Sequence, residues 1–378
     1  MEKIRFYMPT KVFFQEKCLE ENLPIISSYG KKVLIVSGKN FIFESGLMQK
    51  TKNILEKANV KYSVFSDVSP EPATSDCEKG AEAAKKENVD VILALGGGSA
   101  MDVGKAIAIL STNSQNIKDF YGESEINNEP LPVFAVPTTC GTGSEVTRYA
   151  VIIDRNEKTK KTISSEKIIP KVALLDPLLL LTLSEKLVAG TGMDALCHSI
   201  ESYLSLRATN LTKIFCNESM KLIIEFLPSA VKEKGRVEAK TKVLLGSLLA
   251  GFAINHTGTI LVHGMAYSLT INYNLHHGTA NALCLPYALK YLEKHGYEKE
   301  MKEMGKFFTP ESLLNLLKKI GLPSTGKEIG MKEKEIDHIS KEAVKNCQRA
   351  FKNMKTSLDE KEFGVLFKSI HSGILQTQ

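Results

Sequence analysis

Ile92-Leu93-Ala94-Leu95-Gly96-Gly97-Gly98-Ser99-Ala100-Met101-Asp102 reads as a buried strand, a triple-glycine turn and the start of a helix. Four apolar residues in a row, ended by glycine, suit a strand covered on both faces. Glycines let the backbone approach a ligand closely, and amides at a helix start attract anionic oxygens. Ser99, with Asp102 three residues on, resembles a capping box. A tight turn without a ligand uses the same residues, the spacing is not GxGxxG, and the turn follows a middle strand. The run therefore predicts strand, turn and helix, and leaves a bound dinucleotide open.

Around it the first half alternates β-rich runs at 32–37, 61–65, 90–95, 133–136 and 172–175 with helical stretches at 46–58 and 75–87. Such alternation predicts a mostly parallel sheet with helices on both faces, whose ligands lie beyond the carboxyl ends of the strands. From Ser184 onward the apolar spacing is helical, as at 195–203, 217–227, 239–254 and 310–320, with no convincing strand. Ser184 caps a helix and Glu185 suits its positive end. The expected organisation is an α/β domain over 1–182 and an all-helical domain over 183–378.

A chain of 378 residues suits two cores, and 43% hydrophobic with 24% charged residues is the balance of an ordinary folded protein. The net charge of +6 is spread out rather than clustered, which argues against nucleic acid as a partner. Seven scattered cysteines without a CxxC pair fit reduced thiols in the cytoplasm. The first ten residues lack the apolar core of a secretion signal, and the greasiest stretch, 172–183, is broken by Asp176 and Pro177. A soluble, cytoplasmic protein with no membrane contact is expected.

A second loop follows another short strand: Pro137-Thr138-Thr139-Cys140-Gly141-Thr142-Gly143-Ser144-Glu145. Its three threonines and one serine are a dense set of donors for phosphates and ribose. Two such loops on neighbouring parallel strands strengthen the case for a dinucleotide. In the helical half, Gly192-Met193-Asp194-Ala195-Leu196-Cys197-His198 puts a carboxylate and an imidazole one helical turn apart on one face. His263 and His277 are each followed by glycine. Asp194, His198, His263 and His277 make an N₃O set suited to Fe²⁺ or Zn²⁺ with a position left for a substrate oxygen. Cys197 and His276 lack spacing support as further ligands, and any one histidine alone reads as a core or surface residue.

With these motifs in view, the sequence resembles the iron-containing alcohol dehydrogenase family over almost its whole length. The resemblance is carried by GGGSAMD at 96–102, PTTCGTGSE at 137–145, GMDALCHSIE at 192–201, LVHGMAY at 261–267 and HHGTANA at 276–282. It implies a dehydroquinate synthase-like fold: an α/β dinucleotide-binding domain, an all-α domain, an active site in the cleft between them, and a homodimer. It carries over Asp194, His198, His263 and His277 as metal ligands. It carries over Gly97, Gly98, Ser99, Asp102, Thr138, Thr139, Ser144 and Lys160 as cofactor-binding residues; Thr142, Gly38 and Asn40 join them on position. Two departures matter: Tyr267 stands where many relatives have a histidine, and Glu71 where they often have asparagine. Tyr267 is the expected catalytic group, as substrate-orienting hydroxyl or proton relay. At position 38 NAD-preferring relatives tend to carry aspartate; Gly38, beside Lys39 and Asn40, favours NADP(H) over NAD(H).

The implied chemistry is hydride transfer between a small alcohol or aldehyde and a nicotinamide, with Fe²⁺, or alternatively Zn²⁺, as Lewis acid. The rivals are a zinc glycerol dehydrogenase-like enzyme and a dehydroquinate synthase-like lyase. The lyase requires a Lys and Arg cluster near the metal, where only Arg148 and Arg207 lie near the motifs.

Overall fold

The computed structural model of the chain describes residues 3–157 and 159–376. The chain divides into two compact units: 7–139 with 143–182, and 183–376 with 3–6 and 140–142. The tip of the hydroxyl-rich loop, Cys140–Thr142, thus groups with the second unit rather than with the strand that leads into it.

The first unit is α/β. Its strands are β1 (Lys11–Phe14), β2 (Lys32–Gly38), β3 (Lys61–Val68), β4 (Val91–Gly96), β5 (Val133–Pro137), β6 (Tyr149–Asp154), β7 (Thr159–Ser164) and β8 (Val172–Leu175). Six form one sheet in the order β1-β8-β5-β4-β2-β3, with every pairing parallel. β6 and β7 make a separate antiparallel hairpin. Numbering helices of ten residues or more, α1 (Leu47–Lys57), α2 (Thr74–Glu87) and α3 (Gly98–Thr112) belong to this unit.

Side-chain alternation divides each central strand between two cores. Leu34, Val36, Ile92 and Ala94 pack with α2 and α3, whereas Val33, Ile35, Val91, Leu93 and Leu95 pack with α1. This double burial is why β2 and β4 read as unbroken apolar runs. From β2 the chain winds outward to β3, then returns to lay β4 on the other side of β2. Loops leaving β2 and β4 diverge there, which opens a crevice at their carboxyl ends.

Three strands lie outside the expected set. β1 has four residues, none fully buried, at a sheet edge. The hairpin strand β7, Thr-Lys-Lys-Thr-Ile-Ser, is too polar to read as a strand.

The second unit is helical throughout its described residues: α4 (Glu185–Leu204), α5 (Asn210–Lys232), α6 (Val237–Thr257), α7 (Leu261–Tyr273), α8 (His277–Leu292), α9 (Pro310–Lys319), α10 (Ile336–Asn346) and α11 (Glu360–Ser372), with shorter turns between. Ser184 caps α4 by accepting from the Leu187 amide at 3.3 Å. From Val188 to Leu204 every residue of α4 is buried, because α5, α6 and α8 pack around it. A helix buried on all sides carries polar groups only where they are paired or bind something, and α4 carries Asp194, His198 and Glu201. No single helix among the described residues is long and apolar enough to cross a membrane.

Candidate metal centre and dinucleotide cradle

Asp194 and His198 stand one turn apart on α4, His263 is the third residue of α7, and His277 opens α8. Ligand atoms of Asp194, His263 and His277 lie within 4.8 Å of one another. His198 Nε2 is 3.0 Å from His263 Nε2, so all four residues are brought together. The glycine after each of the last two histidines has a reason. A Cβ at Gly278 would strike the Gly190 carbonyl of α4, and one at Gly264 would strike Cys347. Only glycine lets α7 and α8 come that close.

The donor set can be tested for a cation. His263 Nδ1 donates to Glu201 Oε2, and His198 Nδ1 donates to the Gly141 carbonyl at 3.3 Å. Each bond fixes the tautomer and leaves an Nε2 lone pair. Two lone pairs 3.0 Å apart repel unless a proton or metal ion lies between them. Asp194 Oδ1 sits 3.6 Å from His263 Nε2, the Asn281 amide donates to Asp194 Oδ1 at 2.7 Å, and His277 Nε2 lies 3.2 Å from that amide nitrogen. The residues therefore fit a divalent ion. Burial pushes Asp194 up, but the facing His198, His277 and His263 outweigh it and hold the carboxyl far below its usual range. Burial also works against the charged form of His263, yet Glu201 and Asp194 carry it up to about 9. His198 is pushed down by burial.

Glu201, fully buried, ends the GMDALCHSIE run and is a functional residue that the sequence expectations leave out. Its signal is spacing: it follows His198 by three residues on the same helical face. Cys197 and His276 are not in the cluster. Burial first, then Asp194 and Glu201, push the Cys197 thiol well above its ordinary range, so it stays protonated.

Tyr267 follows His263 by one turn, half-buried, and its ring stacks on His277 with centroids 5.4 Å apart and planes 22° from parallel. The ring thus borders the candidate ligands. Tyr267→Phe keeps the stack and removes only the hydroxyl. A several-fold loss of turnover with an unchanged Tm is expected; unchanged kinetics across pH would leave the ring a packing role alone.

In the α/β unit the glycine turn and the hydroxyl loop lie side by side, since Gly96 pairs with Pro137 and the Thr138 amide donates to the Gly96 carbonyl at 2.9 Å. Gly96 has φ 153°, a conformation only glycine adopts freely. A Cβ at Gly97 would come within 3.4 Å of Thr139 Oγ1, a buried hydroxyl with no hydrogen-bond partner in the chain. The amides of Gly98, Ser99 and Ala100 precede the first intrahelical acceptor of α3. A glycine cradle, free helix-start amides and an unpaired buried hydroxyl fit a phosphate.

Several of the expected cofactor residues have partners within the chain. The capping box does not form: Gly97 is the N-cap, and Ser99 Oγ donates to the Pro70 carbonyl at 2.6 Å. Asp102 accepts from Ser144 Oγ at 2.6 Å and from the Val151 amide at 3.0 Å. Lys105, missed because a lysine on a helix reads as solvated, is fully buried. Its ammonium donates to Ser144 Oγ at 2.7 Å and to the Thr147 and Tyr149 carbonyls at 2.9 and 2.8 Å. Asp102 and Ser144 are thus engaged with the interior and hold the loop in place. Lys160 pairs with Glu71 at 2.9 Å, and Lys39 with Asp67 at 2.9 Å. Asn40 is exposed at the start of a short helix. Gly38 has open space around it: a Cβ there meets only the Val68 carbonyl, at 3.7 Å. Thr142 belongs with the helical unit.

Known proteins share this architecture. Residues 9–177 match iron-containing alcohol dehydrogenase, and residues 188–369 match the C-terminal part of the Fe-containing alcohol dehydrogenase family. An NAD-dependent methanol dehydrogenase of Bacillus methanolicus is 31% identical over 94% of this chain and 97% of that protein. An NADPH-dependent butanol dehydrogenase of Clostridium saccharobutylicum is 30% identical over 98% of both. The solved alcohol dehydrogenase from Oenococcus oeni superposes with a TM-score of 0.91 at 31% identity, covering 98% of this chain and all of that one. With matching families across both units, the chain belongs to the iron-containing alcohol dehydrogenases.

Proposed function

We propose that this alcohol oxidoreductase interconverts small alcohols and aldehydes in the cytoplasm, as a homodimer of two-domain chains (1–182 and 183–378). The observation that carries the reading is the pair of opposed Nε2 lone pairs of His198 and His263 beside the Asp194 carboxylate. Asp194, His198, His263 and His277 would hold Fe²⁺, with Zn²⁺ as the alternative, to supply Lewis-acid chemistry while a nicotinamide dinucleotide supplies the hydride acceptor or donor. The chain's own work is positioning and charge. Glu201 and the Gly141 carbonyl stand as acceptors behind the two imidazoles. Tyr267 borders the ligands and offers its hydroxyl to orient the substrate or pass a proton. Gly97, Gly98, Thr138 and Thr139 would line the pyrophosphate, with Lys105 holding the loop that carries the threonines. All seven cysteines are buried and none forms a disulfide, in keeping with a reducing compartment.

The test is absorbance at 340 nm with a panel of primary alcohols and aldehydes. Protein purified without oxygen is stripped by chelation and reloaded with Fe²⁺ or Zn²⁺. No metal-dependent signal with any of them, with either cofactor, sinks the reading.

We read the cofactor preference as NADP(H) over NAD(H). Gly38 leaves room for a 2′-phosphate and offers no carboxylate to repel it. Asp67 holds Lys39, but both side chains are more than half exposed, and such pairs are worth about 1 kcal/mol or less. A phosphate carrying a charge of roughly −1.5 to −2 can draw the lysine away. Because position 38 has φ outside the left-handed region and open space, Gly38→Asp should fold normally and lower kcat/KM for NADP at least several-fold more than for NAD. Equal losses with both, or a higher kcat/KM for NAD in the unaltered enzyme, would refute the preference.

A further inference from the structure

Glu201 makes two hydrogen bonds and no contact with solvent. Oε2 accepts from His263 Nδ1, and Oε1 accepts from the Val262 amide at 2.6 Å. Val262 is the second residue of α7, within the first turn whose amides have no intrahelical acceptor, so one carboxylate satisfies a helix start and orients an imidazole. The thiols of Cys197, Cys284 and Cys347 are buried nearby, and burial followed by nearby charges, that of Glu201 among them, pushes all three up so that they remain neutral. None places a second negative charge beside the carboxylate.

We infer that Glu201 is a positioning residue for the metal centre: it selects the Nδ1–H tautomer of His263 and thereby turns the Nε2 lone pair toward Asp194 and His198. The inference rests on the metal-site reading. A histidine whose Nδ1 lacks an acceptor is free to carry its proton on Nε2, which removes the lone pair from the cluster. Isosteric Glu201→Gln is the discriminating change. With its oxygen on the Val262 amide, the glutamine NH₂ faces Nδ1 and forces the wrong tautomer; turned over, it sets two donors against each other.

The experiment measures Zn²⁺ affinity of the full chain by competition with a chromophoric chelator, beside the Tm of the metal-free protein. Glu201→Gln should bind Zn²⁺ about 10- to 100-fold more weakly, the range for losing such a partner. Ser202→Ala, a buried hydroxyl on the same helix that accepts from Thr257 Oγ1 at 3.0 Å, should bind as the unaltered chain does. Equal affinity in Glu201→Gln and the unaltered chain overturns the inference, whereas no Zn²⁺ binding by the unaltered chain overturns the metal-site reading beneath it. Should the glutamine variant not fold, ¹⁵N NMR of the Zn²⁺-loaded unaltered chain decides. Nδ1 protonated and Nε2 on the metal supports the inference; the reverse overturns it.

Discussion

His277→Ala is expected to cost roughly a thousand-fold in alcohol oxidation and most of the bound metal, because several kcal/mol of charge stabilisation leave with the ion. It should do so with little change in the Tm of the metal-free protein. His277 is half-buried at the first position of α8, and its removal leaves Asp194 still facing His263, His198 and the Asn281 amide. His263→Ala should lose metal and activity to the same degree, but with a second penalty. It strips the fully buried Glu201 of its charged partner, and breaking a buried pair from one side costs about 3 kcal/mol or more. The two variants are thus alike in metal content and unlike in melting temperature. His276→Ala and His256→Ala should retain the metal: the first caps α8, where its carbonyl receives the Thr279 amide, and the second stacks on Phe6 with centroids 4.4 Å apart. Metal content by elemental analysis with melting curves of the stripped proteins checks all four. Full metal occupancy in His277→Ala would remove that residue from the site.

The candidate cluster was legible because its pattern is local in part. Asp194 and His198 share a helical face by spacing alone, and Glu201 continues that face; nothing local says that Glu201 meets His263, 62 residues away. The choice of His277 over His276 was likewise invisible in spacing and came with the family resemblance. In the structure α8 begins at His277, which puts one imidazole on the helix and leaves the other at its cap. In the α/β unit, strands buried on both faces announced themselves as apolar runs. The edge strand β1 and the hairpin did not, since half-exposed strands need no apolar run and tertiary pairing supplies their stability. Ser99 and Asp102 had the residue types of a capping box, but the N-cap is Gly97, two residues before Ser99, and both side chains found distant partners.

Lys105→Met should destabilise the α/β unit by about 3 kcal/mol, roughly 6–12 °C in Tm for a unit of this size. It should also weaken dinucleotide binding measured by fluorescence titration of the reduced cofactor. The methionine fills the space but leaves the half-buried Asp102 without its cation and deprives the Thr147 and Tyr149 carbonyls of a donor. Those bonds tie the second turn of α3 to the segment just beyond the hydroxyl loop, so the threonines should lose their place beside the glycine turn. The charge can be followed by pH. Burial pushes the Lys105 ammonium down to about 8 from its ordinary 10.5, against the pull of Asp102 and Glu145. Between those values the unfolded chain binds the extra proton, so this group makes the folded state more stable as pH rises from 8 to 10.5 and less stable as it falls back. The stability gap between the unaltered chain and Lys105→Met, read from urea midpoints, should therefore widen across that window. A constant gap would mean that Lys105 keeps its proton throughout. An unchanged cofactor affinity in Lys105→Met would mean that the loop holds its shape without the lysine.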